Sequence, residues 1–133
     1  MVRFLLLILL IPLISCTERS SSYPKISMPA GLATDADRLA EAKQLFIARC
    51  ADCHGTLAEG RMSRADFFEP AAPDFTEPLY RQIDPAYLFW RIAEGKMVEP
   101  YLSQGSVMPA WGEHFSDEEI WSLVAYLQTR SRP

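Results

Sequence analysis

Cys50–Ala51–Asp52–Cys53–His54 sets two thiols three residues apart with an imidazole directly behind them, in a chain of 133 residues. On a helix, positions i and i+3 share a face. The two sulfurs can then each add to one of the two vinyl groups of a haem, and His54 is held beneath the iron as an axial ligand. Cys-x-x-Cys-His is the pattern of covalent haem attachment. A covalent hold lets a small protein keep a large planar group without enclosing it, so one edge stays open to pass electrons.

Other uses of paired thiols fit less well. A redox dithiol of the thioredoxin kind sits on a βαβ pattern, which this sequence lacks. A structural zinc site needs two more ligands, and beyond His54 only His114 remains, with no second Cys pair. A disulfide across three residues gains little loop-closure entropy. The chain carries a single Cys-x-x-Cys-His and no internal repeat, so one haem is expected. The open position on the iron has four candidate ligands: Met62, Met97, Met108 and His114. For Met62 and Met97, gap filling or plain exposure is the simpler reading. Met108 precedes Pro109, which restricts it to extended geometry and helps fix its direction. Spacing alone does not choose among them.

The elements that must position these groups are helical. Leu39, Ala42, Phe46 and Cys50 repeat near 3.6 residues, behind a cap at Thr34 or Asp35, so a helix runs from about Asp35 to the Ala51–His54 stretch, where Gly55 stops it. Asp84–Pro85 reads as a cap with proline at the first helical position, and Gly95 as the end of that helix. Ser116–Asp117–Glu118–Glu119 has the form of a capping box. It opens a third helix with the apolar stripe Ile120, Leu123, Val124 and Leu127, its acids lying at the positive end of the helix dipole. Proline-rich loops fill Thr56–Pro78 and Met97–Glu113, and no stretch alternates convincingly as a strand. The expected class is all-α, with three main helices and long loops. So few short helices bury little protein against protein, and a large apolar cofactor would fill the centre.

At the front, Arg3 and the apolar run Phe4–Ile14 have the shape of a signal peptide, too short to span a bilayer. The run ends Leu13–Ile14–Ser15–Cys16, which resembles the bacterial lipoprotein cleavage box. That resemblance implies a signal peptide over residues 1–15 and acyl chains, palmitate among them, on Cys16. Several chains anchor stably, at about 0.8 kcal/mol per buried methylene. The lipid anchor accounts for one of three cysteines, leaving the haem pair. Residues 16–34, with serines, Pro24, Pro29 and Gly31 and no period, read as a flexible tether, and 35–132 as the folded domain. A wrapped N-terminal strand is the alternative for the tether. The formal charge of −4 argues against a nucleic-acid partner.

Taken together, Asp35 to Arg130 resembles the class I cytochromes c: a helix ending in Cys-x-x-Cys-His, a middle helix, a Met-Pro loop and a C-terminal helix. The resemblance implies the cytochrome c fold, haem c on Cys50 and Cys53, iron held by His54 and Met108, and a proline carbonyl against the His54 ring. Pro73 is the choice for that carbonyl, with Pro70 and Pro78 nearby. It also implies that Ala42 and Phe46 meet Leu123 and Tyr126 where the first and last helices cross. Tyr80, Arg81, Trp90, Arg91 and Trp111 are expected near the haem or its propionates. With His and Met both bound, iron has no place for substrate. The expected function is then one-electron transfer between Fe(III) and Fe(II) in a bacterial envelope chain. The protein would face the periplasm from the outer or inner membrane, Thr17 after the lipidated cysteine favouring the outer. A cytochrome subunit of a larger oxidoreductase complex is the alternative. A five-coordinate haem enzyme or sensor, with Glu113 and His114 as distal groups, is a further one.

Overall fold

The computed structural model describes residues 22–56 and 63–131. The expected signal peptide, Cys16, Thr17 and Met62 lie outside them. All regular structure among the described residues is helical, in agreement with the all-α expectation.

Helix α1 spans Ala36–Arg49, opened by Asp35, whose carboxylate accepts from the backbone N–H groups of Asp37 and Arg38. The sequence anticipated one helix through His54. Instead the backbone bends at Cys50 (φ −120°), and a separate turn, α2, covers Ala51–His54. Helix α3 spans Pro85–Glu94 with Asp84 accepting from Ala86 N–H, and it stops at Gly95 with φ 66°. A side chain at Gly95 would collide with the backbone of Pro109 and Ala110, so glycine serves both the turn and the close approach of the Met108 loop. Single 3-10 turns at Leu32–Thr34, Ser63–Phe67 and Pro78–Arg81 punctuate the loops.

Helix α4, Asp117–Arg130, carries the capping box as read. Ser116 Oγ accepts from Glu119 N–H, and Glu119 returns a carboxylate oxygen to Ser116 N–H at 2.8 Å. Ser116→Ala is expected to destabilise the haem-loaded protein by about 1 kcal/mol in guanidinium chloride titrations, and Ser116→Asp to restore most of that loss.

The sequence shows one apolar stripe on α4, yet every residue from Ile120 to Leu127 is buried. Partners cover the helix on more than one side. Phe46 of α1, 1% exposed, meets Tyr126 at 5.6 Å between ring centroids, and Phe89 of α3 meets Trp121 at 4.5 Å. Arg38 of α1 pairs with Glu118 at the rim. The far end of α4 is pinned by long-range hydrogen bonds. Gln128 donates to Ile83 O, Arg81 to Ser131 O, and Ser131 Oγ to Glu77 O.

The described part of the expected tether lies against the domain. Tyr23 stacks near Trp90 and meets Tyr87 edge-on, while its hydroxyl and Lys25 Nζ both donate to Asp84 Oδ2. Met28 packs on the core and Leu32 is buried. No repeating pattern announces this packing, because it rests on single residues spaced along an extended segment. Among the described residues no helix is long and apolar enough to cross a membrane.

Candidate functional site

The bend at Cys50 begins the site. Cys53 N–H and His54 N–H both donate back to Cys50 O, at 3.1 and 2.9 Å, which fixes the two thiols and the imidazole as one tight unit. His54 is held from the side by Phe75, whose ring centroid lies 4.6 Å away. Its Nδ1 lies 3.1 Å from Pro73 O. A carbonyl oxygen only accepts, so Nδ1 carries the proton and the lone pair of a neutral ring is left on Nε2. The neutral form is favoured. Burial lowers the His54 pKa, the charges of Arg130 and Lys96 lower it further, and the Pro73 hydrogen bond opposes them. Burial likewise pushes the Cys50 thiol up to about 12, with Cys53 adding to the rise.

The Met108 loop is tied to the end of α3 by backbone bonds. Lys96 N–H donates to Met108 O at 2.9 Å, Trp111 N–H to Ile92 O at 3.1 Å and Gly112 N–H to Ala93 O at 3.0 Å. Pro109 follows Met108 and Gly95 receives the loop, so the methionine's backbone is held on both sides.

Cys50, Cys53, His54, Pro73 and Met108 all line one cleft, which encloses about 1280 Å³ when its open mouth is counted. Its wall is mainly apolar, with Phe46, Phe75, Leu88, Ile92, Leu123 and Leu127 contributing. Tyr80, Arg91 and Trp111 line it too, as expected, whereas Arg81 and Trp90 do not. Trp90 instead stacks on Tyr23 and Arg91. Neither Met97, which is 52% exposed, nor exposed His114 and Glu113 reaches the lining.

Sequence reasoning did not single out Lys96, which borders the cleft, or Arg130, which is 2% exposed behind it. An apolar slot with two thiols, a neutral imidazole and a thioether on its walls matches the chemistry of a haem held by thioether bonds and by one nitrogen and one sulfur. When bound, that group supplies a one-electron Fe(III)/Fe(II) couple. The protein's share is to hold, orient and partly cover it.

Helices, cleft and donor set together define a c-type cytochrome domain, a haem protein of electron transfer. Residues 37–127 match the family model described as cytochrome c oxidase, cbb3-type, subunit III, and the chain belongs to that family. A cbb3-type cytochrome c oxidase subunit CcoP from Azospirillum sp. (strain B510) is 32% identical over 99 residues. The match covers 73% of this chain and 30% of that relative, so the chain corresponds to only part of the relative's length.

Proposed function

We propose that this chain carries one haem c, bound through Cys50 and Cys53, with His54 and Met108 as axial ligands, and relays single electrons as a cytochrome subunit of a larger oxidase complex. The observation that carries the reading is the hydrogen bond from His54 Nδ1 to Pro73 O, on the wall of the cleft that both thiols and Met108 share. It orients a neutral imidazole and raises the basicity of its other nitrogen, the usual support of a metal-bound histidine. Phe75 limits rotation of that ring, and Pro109 with Gly95 limits rearrangement around Met108.

An independent shuttle would use the same chemistry. The complex is favoured by the Azospirillum relative, which is an oxidase subunit. The chain itself acts as an electron-transfer protein and binds no substrate at iron. Glu113 and His114, the groups a five-coordinate sensor would need near its iron, stay out of the cleft lining. The same reading has residues 1–15 removed as a signal peptide, Cys16 acylated, and the domain anchored to an envelope membrane on its periplasmic side. The lipobox-like Leu13–Ile14–Ser15–Cys16 supports this part.

Mild detergent extraction followed by affinity purification of this cytochrome tests the assignment to a complex. The expected result is recovery together with a haem–copper oxidase core that takes electrons from it. Recovery of the cytochrome alone, fully active in reducing a separately purified oxidase, would establish the shuttle instead.

A further inference from the structure

Arg130 is a cation buried where a neutral residue would cost less. It is the largest of the side chains under 2% exposure or at that limit, and it stands in the last turn of α4. Both terminal nitrogens donate to Gly55 O at 3.1 Å, the carbonyl of the residue after His54. The guanidinium lies 4.3 Å from the Phe46 ring centroid and 5.9 Å from that of Tyr126. Its Nε has no hydrogen-bond partner, and among the described residues Arg130 is in no ion pair. Burial pulls its pKa down, while Tyr126 and Asp74 pull it up. An arginine so lowered still stays charged.

A buried charge with no carboxylate in ion-pair contact, and only the more distant Asp74 to balance it, is weak as a stabilising device, since an apolar side chain of similar size commonly does as well or better. Its position suggests a different use. The hydrogen bonds tie α4 to the backbone that leaves Cys50–His54, and its charge is felt at both Cys50 and His54. The side chain is not among the residues that line the cleft, so it acts through the Gly55 carbonyl and through its charge, and not by touching a ligand. A fixed positive charge in a poorly polarisable interior opposes the extra positive charge of ferric iron and so favours the ferrous state.

We propose that Arg130 is a positioning residue for the Cys50–His54 segment whose fixed charge holds the reduction potential of the bound haem up. This rests on the haem reading above, with His54 on the iron.

The test compares wild type, Arg130→Met, Arg130→Gln and Arg130→Lys, each matured with haem and titrated spectroelectrochemically. Arg130→Met is expected to lower the ferrous-to-ferric ratio at fixed ambient potential about tenfold, which is 59 mV for one electron. Arg130→Gln keeps an N–H donor for Gly55 O without the charge. It is expected to fall equally and serves if the methionine variant does not accumulate. Arg130→Lys keeps the charge, and its ratio should stay within about a factor of two of wild type. Neutral variants that titrate with wild type would overturn the proposal. So would a lysine variant that falls as far as the neutral ones, because loss of packing alone would then explain the shift. A wild-type protein without haem defeats the underlying reading before any variant is compared, which keeps the two failures apart.

Discussion

Met108→Ala is expected to lower the midpoint potential by on the order of 100 mV or more, because a thioether ligand favours Fe(II) and no other methionine among the described residues lines the cleft. The structure narrows what could substitute. Met97 is half-exposed and absent from the cleft lining, and His114 is exposed beyond it. The far-red sulfur-to-iron band of the ferric protein should disappear together with the fall in potential, and the reduced variant should bind carbon monoxide rapidly. Backbone bonds from Lys96, Trp111 and Gly112 fix the loop without using the Met108 side chain, so the fold should survive. An unchanged potential with the band intact would remove Met108 from the ligand set.

Cys50→Ala/Cys53→Ala is expected to give a colourless chain without a cooperative unfolding transition. The reason lies in the open cleft that runs through the core. Phe46, Phe75, Leu88, Ile92, Leu123 and Leu127 all turn part of their surface to the cleft. Each of them is at most 8% exposed through protein packing alone, so what the unloaded chain lacks is the dispersion contact that a macrocycle makes across the cleft, which an empty space does not replace. A domain of this size has only about 5–15 kcal/mol in hand. Circular dichroism should show a marked loss of helix relative to the haem protein, and heating should give a gradual, probe-dependent change. A double variant that folds cooperatively without haem would mean that the helices pack sufficiently on their own.

What the sequence disclosed and what it hid follow from the range of the interactions. Asp35, Asp84 and Ser116 cap helices through bonds to residues two or three positions away, so the starts of α1, α3 and α4 were legible. The pairing of Phe46 with Tyr126 followed from the family resemblance, and the rings do meet. The break at Cys50 was not visible, because Gly55 looked like a sufficient stop for one continuous helix. Residue reasoning alone left Met62, Met97, Met108 and His114 open, since the place of Met108 on the cleft is set by loop closure onto α3, a matter of long-range backbone bonds. Pro73 was chosen by resemblance among neighbouring prolines, and its carbonyl is the one within 3.1 Å of His54. Arg130 escaped notice for a physical reason. A basic residue in the last turn of a helix ordinarily complements the helix dipole at the surface, and only tertiary packing buries this one under Phe46 and Gly55.

Mass spectrometry of the peptide that contains Cys50 to His54, taken from protein matured in a bacterial envelope, bears most directly on the account. One haem joined through both cysteine sulfurs, released by neither acid nor organic solvent, is the expected result. A peptide with two unmodified thiols, or with Cys50 bonded to Cys53, would contradict it.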